Sequence, residues 1–389
     1  MDIEQIRAET PGVAHRLHLN NAGAGLMPAS VLAAITGHLE LEARMGGYEA
    51  ADAESERLDA VYDQIASLIG AHGDEIAIVG NATLAWDQAF YGLALKPGDR
   101  ILTAEAEYAA NYLAFMQRAQ RDGLIIDVVP SDESGTLDTD ALEAMIDERV
   151  GLIAITWIPT NGGLVNPAAK IGEIANRHKI PYLLDACQAV GQMPIDVKAL
   201  GCDFLSATGR KFLRGPRGIG FLYVRRELIE TFDPIMIDMF SAEWTERDGY
   251  KLRGDARRFE TWENPYALRM GLGEAVRYAC ALGLPEIQKR AWALADQLRS
   301  AIEGIPRVVL RDTGREQCAI TSFSLDGVDA GAVEAALLTE GINISVSAPS
   351  STRLDAEARA LPKLLRASPH YYNTETEIER FAEAIGNLS

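Results

Sequence analysis

The sequence is short of several things, and each shortage removes a class of function. Its four cysteines (Cys187, Cys202, Cys280 and Cys318) are scattered, with no CxxC pair. That spacing suits neither a structural zinc site nor a disulfide framework, and it fits a reducing compartment. No metal is expected. Positive charge is also scarce: 37 Lys+Arg against 56 Asp+Glu leave a formal net charge of -19. Such a chain is a poor partner for nucleic acid or an anionic membrane surface. The acidity does not name a substrate, because acidic surfaces mostly serve solubility. Long apolar runs are missing, so no membrane span is expected. The first residues, Met1-Asp2-Ile3-Glu4-Gln5, lack the basic start and apolar core of an export signal. The expectation is a cytoplasmic protein.

What is present is enough apolar material for a large core. The 389 residues are 48% hydrophobic, more than one ordinary core needs, so two lobes are expected. Leu58, Val61, Tyr62, Ile65, Leu68 and Ile69 follow helical spacing. Strands are predicted at Glu75–Val79, Arg100–Leu102, Ile125–Val129, Leu152–Trp157, Pro181–Leu184, Phe204–Ala207 and Gly218–Val224. Their continuous hydrophobicity suits strands buried on both faces of a mostly parallel sheet. After about residue 285, predicted helices (Gln288–Ile305, Val333–Leu338, Glu375–Ile385) and strands (Ala319–Leu325, Asn343–Val346, Leu364–Ala367) indicate a smaller α+β lobe. The expected fold is α/β: a large domain over 18–285 and a small domain over 286–389 joined by 1–17. Residues 234–264 read as an irregular segment rich in aromatics, arginine and acids, suited to a subunit contact or an active-site wall.

One constellation carries chemistry. The run Leu183-Leu184-Asp185-Ala186-Cys187-Gln188 ends a strand in an acid. Ser206-Ala207-Thr208-Gly209-Arg210-Lys211 ends the next in a hydroxyl, a cation and a lysine, and the glycine-rich stretch Gly215–Gly220 follows. These are the requirements of a pyridoxal 5'-phosphate (PLP) site. Lys211 is the candidate for the Schiff base, since a desolvated lysine near cationic groups loses its proton and becomes nucleophilic. Asp185 is the candidate partner of the pyridinium nitrogen, and an ion pair there would raise that nitrogen's pKa by roughly 1–3 units. Gln188 is either a hydrogen-bond partner of the ring's phenolate oxygen or a polar residue on a helix's first turn. Asn81-Ala82-Thr83 could cap a helix and offer the Ala82 and Thr83 N–H groups to phosphate, with Thr208 and Arg210 as further donors. Tyr108, in Glu107-Tyr108-Ala109-Ala110-Asn111, is either a ring-stacking aromatic or a core tyrosine.

Together these motifs resemble the class V aminotransferase family of fold-type I PLP enzymes, which includes cysteine desulfurases and selenocysteine lyases. The resemblance runs from Leu17–Gly23 to Leu365–Thr374, and Leu183–Val224 is its most specific part. It implies a homodimer with active sites near the interface and a small amino-acid substrate. It assigns Lys211 to the Schiff base, Asp185 to the pyridinium, Gln188 to the phenolate, and Tyr108 to stacking, a position that is commonly histidine in the desulfurases. Thr83, Thr208 and Arg210 fall on phosphate positions. Thr160 and Asn161 fall where the family contacts cofactor or substrate. Arg366 matches the arginine that grips the substrate carboxylate, a task suited to a planar guanidinium. Asn21 and Tyr48 lie in further motifs on the substrate side. Gly46-Gly47-Tyr48 and Ser368-Pro369-His370 also resemble the C–S lyases of ergothioneine synthesis.

The departures bear on the reaction. The segment matching the desulfurases' nucleophile loop is Ser347-Ala348-Pro349-Ser350-Ser351-Thr352, without a cysteine, and Ser345 replaces an arginine. A hydroxyl cannot hold a persulfide. The sequence therefore leads to the expectation of an aminotransferase rather than a persulfide-forming desulfurase. A β-eliminating C–S lyase is the alternative, and an epimerase or a non-catalytic binding protein stands further back.

Overall fold

A computed structural model describes residues 1–389. Seven strands form the central sheet: β1 (Ile76–Val79), β2 (Arg100–Ala104), β3 (Ile125–Val129), β4 (Val150–Thr156), β5 (Tyr182–Asp185), β6 (Phe204–Thr208) and β7 (Gly220–Val224). Their order is β1-β7-β6-β5-β4-β2-β3. All neighbours are parallel except at β7, which runs antiparallel to both β1 and β6. Successive residues pack to opposite sides. Tyr182 and Leu184 join one apolar core, and Leu183 joins another across the sheet. Phe221 and Tyr223 divide from Leu222 and Val224 in the same way. This is why the strands read as unbroken apolar runs rather than alternating ones.

A third core, around Leu294, Phe323, Leu365 and Phe381, belongs to a four-stranded antiparallel sheet. Its strands are β8 (Val308–Leu310), β9 (Thr321–Leu325), β10 (Ser345–Ser347) and β11 (Leu364–Ala367), in the order β8-β9-β11-β10. The N-terminal segment divides between cores: Ile6 packs into the large one, Leu17 and Leu19 into this third one. The predicted strand Asn343–Val346 is instead two short pieces, Ile342–Asn343 and Ser345–Ser347. Residues 234–264 are more regular than their composition indicated, with a hairpin of Ala242–Glu246 and Gly249–Leu252.

The two loops carrying the candidate site are packed backbone to backbone. Gly191, at φ 90°, closes the loop after β5 against the loop after β6, and a Cβ there would lie 2.2 Å from the Leu213 nitrogen. Only glycine accepts both the dihedral and the approach. Gly191→Ala is expected to cost at least about 2 kcal/mol. An unchanged urea midpoint in that variant would disprove the contact.

Candidate active site

The site is built at the carboxyl ends of the parallel strands, where open α/β sheets bind ligands. Asp185 is the last residue of β5, in register with Thr156 of β4 and Ser206 of β6. The Lys211 loop leaves β6 beside it. The two loops meet at a cavity of about 350 Å³. Ala82, Thr83, Tyr108, Thr160, Asp185, Gln188, Thr208, Arg210 and Lys211 all line it. Residues up to about 130 positions apart in the sequence therefore converge, as the motifs indicated.

The lining fits an anionic, planar, aldehyde-bearing cofactor. At one wall the helix Ala82–Gly92 begins; Asn81 Oδ1 accepts from the Leu84 N–H at 2.9 Å, which leaves the first-turn N–H groups of Ala82 and Thr83 at the cavity. Arg210 and Arg217 add positive charge to a chain that is otherwise strongly acidic. Burial depresses the Lys211 pKa, opposed by Cys187 and Asp185 and assisted by the Arg210 and Arg366 charges. A lysine so placed gives up its proton more readily than one on the surface. Asp185 is buried; its Oδ1 accepts from the Cys187 N–H at 2.9 Å and its Oδ2 from Asn111 Nδ2 at 3.1 Å. Gln188 donates through Nε2 to the Ala22 carbonyl at 3.2 Å, while its Oε1 is buried without a partner in the chain. Tyr108 stays 39% exposed at the mouth, free to cover a ring.

Arg366 lies on β11 between Ser322 and Ser345 of the flanking strands. Its Nη1 donates to the Thr160 carbonyl at 3.0 Å and hydroxyl at 2.7 Å, and its Nε is buried without a partner. Burial pushes its pKa down to about 10, and the Arg210 charge acts in the same direction. An anion beside it would relieve both costs.

Three predicted substrate residues sit differently. Tyr48 is 70% exposed on the helix Gly47–Ala53 and does not line the cavity. Asn21 is buried with both ends of its amide occupied, Nδ2 donating to the Ser368 carbonyl at 2.8 Å and Oδ1 accepting from Tyr372 Oη at 2.6 Å. Asn161 donates to Thr352 Oγ1 at 2.9 Å, tying its loop to the turn Pro349–Thr352. The sequence reading missed Thr156, Cys187, Arg217 and Gly218 in the cavity wall. Cys187 was legible, lying two residues beyond Asp185. Its thiol is held well above the usual pKa by burial and then by Asp185. A wider basin of about 1290 Å³, lined by Asp74, Glu75, Lys198 and Arg226, lies at the amino ends of the strands, away from these groups.

The sequence profile of the class-V aminotransferases matches residues 17–381. The chain belongs to that family. It is a PLP-dependent enzyme of fold type I. Curated relatives span its whole length: a probable cysteine desulfurase of Methanothermobacter thermautotrophicus is 28% identical, covering 100% of this chain and 98% of the relative. A cysteine desulfurase of Pectobacterium atrosepticum is 30% identical, covering 99% and 98%. Among solved structures, the apo cysteine desulfurase of Thermococcus onnurineus superposes with a TM-score of 0.92 at 26% identity, over 99% of this chain and 97% of that one.

These relatives overturn the expected reaction. The expectation of an aminotransferase that is not a persulfide-forming desulfurase rested on one short loop without a cysteine. The likeness to proteins named cysteine desulfurase extends over the entire chain.

Borohydride reduction of the PLP-loaded protein is expected to leave a phosphopyridoxyl group on the peptide containing Lys211, and Lys211→Ala is expected to abolish it. Labelling of a different lysine in the unaltered protein would refute the assignment.

Proposed function

We propose that this enzyme removes sulfur from cysteine by the cysteine-desulfurase reaction, yielding alanine and a persulfide. The observation carrying this reading is the full-length likeness to desulfurases, joined to a cavity lined by Lys211 and Asp185, with the Arg366 charge near enough to act on Lys211. Bound PLP supplies an electron-withdrawing ring that acidifies the substrate's Cα–H. The chain's residues do the rest. Arg366 takes the carboxylate and so fixes the orientation of Cα. Lys211, with its lowered pKa, moves the proton at Cα. Asp185 would keep a proton on the ring nitrogen, Tyr108 would cover one ring face, and Gln188 Nε2, which already donates to the Ala22 carbonyl, would give its second proton to the ring oxygen. The Ala82 and Thr83 N–H groups, Thr208 and Arg210 hold the phosphate.

Sulfur transfer balances as cysteine plus a thiol giving alanine plus a persulfide. The Cβ–S bond breaks, an S–S bond forms to the acceptor, and a proton returns to Cβ. The segment Ser347–Thr352 offers only hydroxyls, so the accepting thiol enters from outside that loop. Asn161 anchors the loop through Thr352.

The assembly proposed is a homodimer. Met239, Trp244 and Tyr250 are 76%, 81% and 61% exposed within residues 234–264, an apolar surface suited to a second copy. No helix is long and apolar enough to cross a membrane. All four cysteines are free, in keeping with the reducing cytoplasm.

Incubation with L-cysteine and dithiothreitol is expected to give alanine and sulfide in equal amounts, with turnover dependent on the added thiol. Pyruvate and ammonia in place of alanine would contradict the reading. Arg366→Ala is expected to raise KM for cysteine about 100-fold, the equivalent of about two charge-assisted hydrogen bonds, with the cofactor's absorbance unchanged. An unchanged KM would place the carboxylate clamp elsewhere.

A further inference from the structure

Behind Asp185 lies a second carboxylate that the reaction as described does not use. Glu107 is 3% exposed and accepts from five donors. Thr103 Oγ1 (3.1 Å) and the Thr156 N–H (2.9 Å) reach Oε2. The Tyr108 N–H (3.1 Å), Thr156 Oγ1 (2.5 Å) and Asn111 Nδ2 (2.8 Å) reach Oε1. The same Asn111 Nδ2 donates to Asp185 Oδ2 at 3.1 Å. One amide nitrogen thus bridges two buried carboxylates, with a proton for each.

We propose that Glu107 is a positioning residue for the cofactor's ring nitrogen: through Asn111 it fixes the Asp185 carboxylate and sets a second negative charge behind it, so that the ring nitrogen stays protonated. This inference rests on the placement of Asp185 beside that nitrogen. Three of the five donors are N–H groups that can only donate, and they favour the carboxylate form of Glu107. Burial opposes this and raises its pKa to about 7, the neighbouring Asp185 charge adding to the rise. Two anions sharing one amide bind a cation more strongly than one, and the cation at hand is the protonated ring. The same carboxylate orders the stacking residue, because the Tyr108 N–H is one of its donors. The other titratable or charged groups around the pair are Cys187, Lys211, Tyr108, Arg210, Arg366 and Tyr182. Of these only the cationic side chains oppose ring protonation, and Lys211, Arg210 and Arg366 are the groups assigned to the aldehyde, the phosphate and the substrate carboxylate.

The test reads the ring nitrogen directly, by the 15N resonance of 15N-labelled PLP bound to the holoenzyme, titrated across pH. In the unaltered enzyme the nitrogen is expected to stay protonated over the working range. Glu107→Gln keeps the size and removes the charge; the midpoint of ring deprotonation is expected to fall by about one pH unit, a tenfold loss of proton affinity. Asn111→Ala, which leaves Glu107 in place but removes the bridge, is expected to shift it in the same direction, and it serves as the reading if Glu107→Gln does not fold. A ring nitrogen unmoved in a folded variant overturns the proposal. Asp185→Asn separates the two claims. If it leaves the nitrogen protonated, Asp185 itself is misplaced. If it deprotonates the ring and Glu107→Gln does not, only the present inference fails.

Discussion

The structure depends on two neighbouring parallel strands ending side by side. β5 delivers an acid, β6 delivers a lysine-bearing loop, and the hydrogen-bonded register between them fixes Asp185 opposite Ser206. Nothing in either loop alone sets the separation of the two functional groups. The sheet does, and the close approach of Gly191 to Leu213 locks the loops together beyond the strand ends. The apolar cores on both sheet faces are the foundation of that geometry, because they hold the strands straight and dry up to the residue where chemistry begins.

Electrostatics then divides the labour. The enzyme is acidic as a whole, yet its cavity gathers Lys211, Arg210, Arg217 and, close behind, Arg366. Desolvation lowers the pKa of Lys211 and Arg366 for the same physical reason, with different uses. A lysine that sheds its proton becomes a nucleophile and base, whereas an arginine pushed to about 10 remains charged at neutral pH and gains by meeting an anion. On the opposite side Asp185, Glu107 and the bridging Asn111 form the anionic pole. The cofactor's own polarity, phosphate at one end and a basic ring nitrogen at another, matches this layout.

Much of this was legible in the sequence because it is local. Ile125–Val129 and Leu364–Ala367 were bounded as they stand, since short apolar runs between breakers mark strands, the first a half-buried edge of the large sheet and the second inside the small lobe's core. The nine cofactor residues read from motifs all line one cavity. What escaped was non-local or structurally disguised. The pairing of Asn111 with Asp185 spans 74 residues and appears only once β2, β4 and β5 lie side by side. The long helices Ala29–Met45 and Tyr266–Leu282 were not read, because they pack through small residues such as Gly271 against Ile35 rather than through a broad apolar stripe. Tyr48, placed by motif resemblance, is exposed on the single chain, and Asn21 hydrogen-bonds Ser368 and Tyr372. The reaction was misread for a related reason: one loop was weighed above the whole chain.

The central claim is that a single cofactor ring lies between Lys211 and Asp185. A crystal structure of the PLP-loaded enzyme tests it most directly. The account predicts continuous density from Lys211 Nζ to the cofactor, the ring nitrogen within hydrogen-bond reach of Asp185, and Tyr108 over one ring face. Cofactor bound through another lysine, or a ring turned so that Asp185 faces a carbon edge, would contradict it.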